Sequence, residues 1–579
     1  MFWLKRKKSS RIKYSNIDPD EVLLDAFNLP SFDTNQFEGR VERPIQRNIP
    51  LFVGSFAALI FLTFLFQTWN LQIVRGEALA LLSQQNRLDQ EVLFAERGVI
   101  FDRFGRELAW NTPPEFIEDP KTYDMFSLRS YTKQEGFAHI LGFVGYPEKD
   151  SSGFWWRTDY VGKAGVESSL NETLKGENGV RIIEVDALNN IQSQNIIRPP
   201  VDGENVVLSI DKDVQAALYT AIKEGAQRAG FIAASSVILD VKTGEVVAIT
   251  SYPEYSSQVM TDGAPKEIIQ SYTTGVGKPF LNRAITGEYT PGSIVKPYIA
   301  AAALSEGLVT ANTSFLSTGE IRIPNPYSPD NDSIFRDWKA HGWVNVIEAL
   351  AVSSNVYFYT VGGGYEGQEG LGIEKLAAYA TRFGFGQPTG IDFGSEAIGV
   401  VPTPMWKEEV FGSNNPWRLG NTFHTSIGQF GFLVTPIQAV RYIAAIANGG
   451  ELLVPHVTKN AAIIQRSVGI DDQYLEIVRA GMRKAVESGT SLAVNVPGIR
   501  IASKTGTAQL GVRNESMNSW VVGFWPSDNP RFAFATVLEK APAGTLQGAA
   551  PAMRSFFEWL VSEQVEYTNG NYPSKEIQE

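Results

Sequence analysis

The chain has 579 residues, a net charge of −12 at pH 7 and no cysteine, and 43% of its residues are hydrophobic. This length allows two or three globular domains. The negative charge argues against nucleic-acid binding as the main function. The lack of cysteine excludes disulfides, thiolate nucleophiles and cysteine-ligated metal sites, and no site for a metal or another cofactor is evident.

Residues 51–69 form an uncharged, apolar segment that is long enough to cross the hydrocarbon core of a bilayer. The segment starts too late, and its apolar core is too long, for a cleaved signal peptide. Arg40, Arg43 and Arg47 precede it closely. The positive-inside rule therefore places residues 1–50 in the cytoplasm and the rest of the chain outside it. A helix buried in a protein core is the alternative interpretation.

Changes in composition divide the chain into five parts. The N-terminal residues mix charges with Pro and Asn and have no sustained period, which is typical of a flexible tail, and the C-terminal residues have a similar character. We therefore predict a cytoplasmic tail (1–50), a transmembrane helix (51–69), an extended α+β pedestal domain (70–205), a large C-terminal domain (206–565) and a C-terminal tail (566–579).

The pedestal contains two clear local patterns. Residues 97–109 place two short apolar runs around a turn at 102–105, which predicts strand, turn, strand. Residues 166–174 follow an amphipathic helical period that ends before Gly176, which predicts one helix. Between these patterns, His139 lies in an apolar stretch, and we interpret it as a packed or capping histidine.

A serine and a lysine are spaced one helical turn apart at the start of a predicted helix. The turn sequence Thr290-Pro-Gly precedes Ser293, and a mostly apolar run continues to Leu304. Residues three apart on a helix share a face, so Ser293 and Lys296 can touch and form a nucleophile and its base without a histidine. The backbone N–H groups at a helix start favour a developing oxyanion.

Similar patterns occur elsewhere, so the Ser-x-x-Lys spacing is weak evidence by itself. It also occurs at 10–13, in the basic tail, and at 209–212, after a strand-like run. A Lys-Thr-Gly triplet at 242–244 lies in the turn of a predicted hairpin between two β-branched runs, 235–240 and 245–250. We interpret this triplet as structural.

Two later polar motifs strengthen the interpretation of Ser293 and Lys296 as a nucleophile and its base. Ser353-Ser-Asn355 interrupts two helical runs, so the serine hydroxyl and the asparagine amide can face Ser293. Lys504-Thr-Gly-Thr507 ends an apolar strand signal. A glycine in a strand lets a peptide backbone approach closely, and such an edge can hold an extended substrate by strand addition.

The order Ser-x-x-Lys, Ser-x-Asn, Lys-Thr-Gly resembles the penicilloyl-serine transferases. Two pedestal blocks, 97–109 and 162–176, resemble signatures of class B penicillin-binding proteins, with Phe104 and Leu170 at positions where the family usually has Asn and an aromatic residue. The block at 426–438 also resembles the family, with Phe430 in place of the usual glycine. The chain is most similar to the elongation-type penicillin-binding protein 2. This resemblance implies a serine β-lactamase-like α/β transpeptidase domain, with an antiparallel sheet flanked by helices, at 206–565.

The resemblance assigns an acylation mechanism to the first two motifs. A neutral Lys296 takes the proton from Ser293, which attacks the penultimate D-Ala carbonyl of a stem peptide. Ser353 passes the proton to the leaving amine, and Asn355 orients the donor peptide. Burial and the nearby charge of Lys504 are expected to lower the pKa of Lys296.

The resemblance counts Lys504 of the third motif among the catalytic residues and assigns the rest of the motif to substrate binding. Lys504, Thr505 and Thr507 hold the carboxylate of the donor, Gly506 forms part of the binding strand, and the N–H groups of Ser293 and Thr507 form the oxyanion hole. An amine of a neighbouring strand then resolves the acyl-enzyme as a cross-link. β-Lactams mimic the donor and remain on the serine as a slowly hydrolysed ester.

The resemblance also implies partners and a location. Class B proteins of this kind work with membrane glycosyltransferases of the SEDS type, and they are single-pass proteins of the bacterial plasma membrane. Some relatives use a cysteine-containing zinc site, for which this chain has no cysteine. The alternatives are a division-type transpeptidase, a D,D-carboxypeptidase or β-lactamase in which water resolves the acyl-enzyme, and a β-lactam receptor or idle scaffold.

Overall fold

A computed structural model of the chain describes residues 48–79, 88–113, 126–185, 191–325, 331–511 and 513–573. The predicted cytoplasmic tail, except for its last three residues, lies outside these ranges. By its internal contacts the chain divides into two units, residues 1–88 and 89–579.

The first unit contains one long helix, α1 (Asn48–Trp69), which continues through a π-helical turn, Asn70–Val74. Apolar residues occupy all sides of this helix, and no part of Leu51–Val74 is buried by protein. Within the described residues, this is the one helix that is long and apolar enough to cross a membrane. An apolar surface on every side is typical of a helix in lipid, which agrees with the predicted span and not with a core helix.

The second unit begins with small sheets and short helices. The strands are β1 (Leu88–Leu93), β2 (Ile100–Phe101), β3 (Glu107–Thr112), β4 (Leu128–Tyr131), β5 (Val144–Gly145), β6 (Glu148–Lys149), β7 (Trp155–Arg157), β8 (Val161–Gly162), β9 (Gly179–Val185), β10 (Ile191–Arg198) and β11 (Val206–Val207). The helices are α2 (Ala138–Leu141), α3 (Gly165–Ser169) and α4 (Asn171–Leu174). The two larger sheets have the strand orders β1-β9-β10 and β11-β2-β3-β4.

A buried ion cluster connects three segments of the pedestal. The carboxylate of Glu167 accepts hydrogen bonds from Arg97 Nε at 2.6 Å and Arg129 Nε at 2.7 Å, and all three side chains are inaccessible to solvent. The helix predicted over 166–174 is wrong in one respect, because it breaks at Leu170 into α3 and α4. The strand-turn-strand prediction is confirmed by β2 and β3, which pair antiparallel.

The rest of the second unit is one large domain. Its strands are β12 (Ala233–Asp240), β13 (Val246–Tyr252), β14 (Phe315–Ser317), β15 (Glu320–Ile323), β16 (Ser333–Arg336), β17 (Gly342–Val344), β18 (Glu451–Leu453), β19 (Gln465–Ser467), β20 (Ala502–Leu510), β21 (Ser516–Trp525) and β22 (Phe532–Pro542). Its helices are α5 (Lys212–Ala229), α6 (Ser257–Asp262), α7 (Lys266–Thr274), α8 (Arg283–Thr286), α9 (Lys296–Ser305), α10 (Val346–Val352), α11 (Asn355–Gly363), α12 (Gly372–Arg382), α13 (Pro404–Phe411), α14 (Leu419–Ser426), α15 (Pro436–Ala447), α16 (Asp472–Ser488), α17 (Ala549–Glu563) and α18 (Val565–Thr568).

A five-stranded antiparallel sheet organises this domain, in the order β13-β12-β22-β21-β20. Helices α5 and α17 pack together on one face, over a core that contains Trp525 and Phe557. Helix α15 packs against the strands from the other face, where α9 joins the largest apolar core. Strand β20 lies at an edge of the sheet, so one side of its backbone is free of a neighbouring strand.

The C-terminal segment is packed more closely than the sequence predicts. Helix α18 buries Tyr567, whose hydroxyl donates to Asp211 at 2.7 Å. The ring of Tyr572 lies 3.5 Å from the guanidinium carbon of Arg103, and its hydroxyl donates to Asp240 at 2.7 Å. The tail predicted from residue 566 therefore begins with residues that pack on the domain, because their aromatic rings cover buried charged groups.

Candidate active site

Ser293 lies in a short 3₁₀ turn, Gly292–Val295, that runs directly into α9. Gly292 has a φ of 57°, and its N–H donates to Gly428 O at 2.9 Å. A Cβ atom at Gly292 would lie 2.7 Å from Thr507 O, so only glycine allows the turn to approach β20 this closely. The serine is therefore held at the start of a buried helix and next to the edge strand.

Lys296, the first residue of α9, is completely buried. Its ammonium donates to Asn355 Oδ1 at 2.7 Å, to Ser353 O at 2.9 Å and to Ser353 Oγ at 3.3 Å. None of the described residues forms a hydrogen bond with Ser293 Oγ. Oxygens of the Ser353–Asn355 turn thus accept the protons of Lys296, and the contact of Ser293 with Lys296 stays a prediction.

Burial lowers the pKa of both lysines. Loss of hydration lowers the pKa of Lys296 to about 7, and the carboxylate of Asp337 opposes this shift. The pKa of Lys504, also completely buried, is lowered well below its ordinary value by desolvation and then by the charge of Lys296. The expected depression of the Lys296 pKa is confirmed in direction, and desolvation is its main cause.

The Ser353–Asn355 turn joins α10 to α11, as the sequence predicts. Ser353 caps α10 in the left-handed conformation, with φ 58° and ψ 41°. Its hydroxyl oxygen accepts from Lys504 Nζ at 2.8 Å and lies 3.3 Å from Lys296 Nζ. Ser353 therefore connects the two lysines, and its own hydroxyl hydrogen is left for a third group.

The Lys504–Thr507 motif lies on the edge strand β20. Lys504 Nζ also donates to Thr505 O at 2.9 Å, and Thr505 Oγ1 donates to Thr490 Oγ1 at 3.0 Å. Thr507 is exposed beside the nucleophile's turn. These positions leave the outer side of the strand open to an extended ligand.

The role expected for Gly506 needs correction. A Cβ atom there would lie 2.8 Å from Pro291 O and 2.9 Å from Ile294 Cγ2. The space that glycine leaves is thus occupied by the turn that carries the nucleophile, not reserved for a substrate backbone. The predicted edge position of the strand is nevertheless confirmed.

The patterns interpreted as structural lie outside this site. Ser209 Oγ donates to Val246 O at 2.7 Å, while Lys212 Nζ donates to Glu107 O at 3.1 Å, so these two side chains do not form a pair. The triplet at 242–244 forms the turn between β12 and β13. His139 is buried, and its Nε2 lies 2.9 Å from Pro279 O. Residues 10–13 lie outside the described ranges.

Sequence reasoning missed two polar residues of the site. Asp337 belongs to no motif that we recognised, and its buried carboxylate contacts the Ser353–Asn355 turn. Thr490 follows the end of α16 and holds Thr505. A Gly-Thr pair after a long helix was the available signal for Thr490, whereas only the fold brings Asp337 to the turn.

The fold and the site define the class of this protein: it is a serine enzyme of the penicillin-recognising type. Family models agree with this class. Residues 234–558 match the penicillin-binding protein transpeptidase domain, and residues 122–208 match the penicillin-binding protein dimerisation domain. The chain belongs to the penicillin-binding protein transpeptidase family, with the class B arrangement of pedestal and transpeptidase domain.

Curated relatives carry the name peptidoglycan D,D-transpeptidase MrdA. The protein of Acinetobacter baumannii is 32% identical over 469 residues, which are 75% of this chain and 66% of the relative. The protein of Escherichia coli is 30% identical over 73% of this chain and 70% of its own length. The protein of Haemophilus influenzae is 27% identical over 93% of this chain and 95% of its own length. These relatives confirm the predicted likeness to penicillin-binding protein 2.

Solved structures of penicillin-binding protein 2 have the same fold. The Helicobacter pylori protein in complex with MreC aligns with a TM-score of 0.67 and 26% identity, over 82% of this chain and 99% of that one. The Pseudomonas aeruginosa protein in complex with WCK 5153 aligns with a TM-score of 0.65 and 29% identity, over 83% and 99%. A chain of a peptidoglycan synthase complex, described as coordinating polymerization and crosslinking, aligns with a TM-score of 0.69 and 28% identity, over 89% and 98%.

Proposed function

We propose that this protein is a peptidoglycan D,D-transpeptidase that cross-links stem peptides in cell elongation through an acyl-enzyme on Ser293. The observation that carries the proposal is the buried chain Lys296–Ser353–Lys504 next to the start of α9. Two lysines with lowered pKa values and a bridging hydroxyl provide a base and a route for protons without histidine.

In the acylation step, Lys296 acts as the base. A neutral amine has two N–H donors and one lone pair, so Lys296 can keep its bonds to Asn355 Oδ1 and Ser353 O while its lone pair accepts the Ser293 proton. Ser293 Oγ then attacks the penultimate D-Ala carbonyl and forms an ester as the bond to the terminal D-Ala breaks. The N–H groups of Ser293 and Thr507 stabilise the oxyanion.

Protons reach the leaving group through Ser353. Its hydroxyl lies between both lysines, so it can give a proton to the departing amine and regain one from Lys296. Lys504, Thr505 and Thr507 bind the carboxylate of the donor at the open strand edge. A second stem-peptide amine then attacks the ester, displaces Ser293 and forms the cross-link.

Labelling with a fluorescent penicillin tests the proposal. The wild-type chain and Ser209→Ala should take the label, and Ser293→Ala should not, because Ser209 is completely buried and bonded to Val246 O. Retention of label by Ser293→Ala would refute this nucleophile. The alternatives differ in the product: with donor and acceptor peptides a transpeptidase forms the cross-linked dimer, whereas a carboxypeptidase releases only the shortened peptide.

The protein is further proposed to act in the plasma membrane, with its N-terminus in the cytoplasm and both folded domains outside. The apolar helix and the arginines before it support this orientation. A SEDS-type glycosyltransferase is the proposed partner. Its support is the likeness to a chain of a peptidoglycan synthase complex, and co-purification from the membrane tests it.

A further inference from the structure

A three-residue segment, Arg336 to Trp338, holds the Ser353–Asn355 turn from both ends; we call it the 336–338 clamp. At the end of α10, the indole Nε1 of Trp338 donates to Val352 O at 3.2 Å. At the start of α11, Asn355 Nδ2 donates to Arg336 O at 3.4 Å. The clamp thus contacts Val352, directly before the turn, and Asn355, the last residue of the turn.

Asp337 lies at the centre of the clamp, and its carboxylate is inaccessible to solvent. One oxygen, Oδ2, accepts from Ser354 Oγ at 2.8 Å and from Val356 N at 3.0 Å. It also lies 3.3 Å from Ser317 Oγ on β14. The other oxygen accepts from Trp338 N at 2.9 Å. The carboxylate therefore anchors the middle of the turn and the first turn of α11 at once.

This anchoring acts on two groups of the reaction. Ser353 has a positive φ of 58°, which is unfavourable for a residue with a side chain and persists only where its surroundings impose it. Asn355 opens α11 and holds the ammonium of Lys296. A negative charge at the N-terminus of α11 stabilises the helix that carries Asn355.

We propose that Asp337 is a positioning residue for acylation, which fixes Ser353 and Asn355 around Lys296. The inference deepens the proposed function and rests on it. It adds a residue that touches neither the substrate nor Ser293, yet influences both the rate of acylation and its dependence on pH.

Within the described residues, the titratable groups that interact with Lys296 are Asp337, Lys504 and His341. Asp337 is the one group among them that favours the charged form of Lys296. The charge of Lys296 lowers the pKa of Lys504, and the two lysines share Ser353 Oγ. His341 Nε2 lies 3.6 Å from Asp337 Oδ1, and burial lowers the pKa of this histidine. Loss of the carboxylate charge therefore removes the one interaction that raises the pKa of Lys296.

The test measures the rate of acylation by a fluorescent penicillin against pH, with the full-length protein in detergent. For Asp337→Asn we expect a rate at high pH that is lower by about 10- to 100-fold, because the turn loses its anchor. We also expect the midpoint of the pH profile to move below the wild-type value, because the amine of Lys296 loses its proton more readily. A merely structural carboxylate would lower the rate without moving the midpoint.

Two further variants complete the test. Asp392→Asn is the matched control, since Asp392 also accepts from two backbone N–H groups, Val457 N at 2.7 Å and Thr458 N at 3.0 Å, but does not contact the turn. It should keep the wild-type rate and midpoint. Trp338→Phe removes one hydrogen bond of the clamp and keeps its charge, so it should lower the rate with an unchanged midpoint.

An Asp337→Asn protein with the wild-type rate and midpoint would overturn the inference. If Asp337→Asn does not fold, as judged by its thermal melting, the test rests on Trp338→Phe. A wild-type rate of acylation for Trp338→Phe would overturn the role proposed for the clamp. A failure of the proposed function is distinct, because wild-type protein would then take no label or Ser293→Ala would keep it.

Discussion

At the scale of single residues, burial turns Lys296 into a base that titrates near neutral pH. Loss of hydration lowers its pKa to about 7. Only the neutral amine can take the proton of Ser293, so the rate of acylation should rise about tenfold per pH unit below this value and level off above it. Rapid-mixing measurements with a fluorescent penicillin from about pH 5 to 10 check this profile. A rate that does not change with pH would contradict the role of Lys296.

The bridging hydroxyl of Ser353 gives a second prediction at this scale. Ser353→Ala removes the oxygen that accepts from Lys504 and interrupts the route of the proton to the leaving amine. We expect acylation to slow by about 10²- to 10³-fold. Ser491→Ala is the matched control, because the buried hydroxyl of Ser491 has no hydrogen-bond partner within the described residues. Equal effects of the two substitutions on labelling would count against the bridge.

At the scale of structural elements, the pedestal depends on one carboxylate between two guanidinium groups. Glu167 on α3 binds Arg97 and Arg129, and none of the three side chains is exposed. Glu167→Gln would leave two buried cations without a counter-charge, which we expect to lower the free energy of unfolding by about 3–5 kcal/mol. Urea denaturation followed by tryptophan fluorescence measures this loss.

A neighbouring glutamate provides the control for that substitution. Glu172 on α4 pairs with Lys175 at the surface, where its carboxylate remains in water. Glu172→Gln should leave the denaturation midpoint where it is, since exposed pairs contribute little. If both glutamine variants had the same midpoint, the buried cluster would not be what fastens the pedestal.

At the scale of the whole molecule, the chain's lack of cysteine allows a direct test of its orientation. Ser467→Cys on β19 places a thiol at an exposed position of the large domain. Ser10→Cys places one in the N-terminal tail, outside the described residues. In intact spheroplasts, a membrane-impermeant maleimide should label the first variant alone, because the positive-inside rule keeps the tail in the cytoplasm. Labelling of Ser10→Cys without lysis would reverse the proposed topology.

The sequence by itself determined the three motifs and several of the elements. The hairpin of β12 and β13, the break between α10 and α11, and the start of α9 near Ser293 all depend on turn residues and periods within a few positions of one another. Such local preferences do not require knowledge of the fold. The three motifs were also found in this way, since each occupies one short stretch.

Only the tertiary structure decided which groups these motifs bring together. In the folded protein, Lys296 donates to Asn355 and Ser353, and the turn that carries Ser293 fills the space beside Gly506. The carboxylate of Asp337 accepts from Ser354 in the turn of the second motif. The tertiary structure also packs Tyr567 into a segment with the composition of a tail. The physical reason is that burial and hydrogen bonding between residues distant in sequence depend on how the sheet and helices close over one another. No short stretch of the chain encodes that closure, and the closure lowers the pKa of both lysines by burying them.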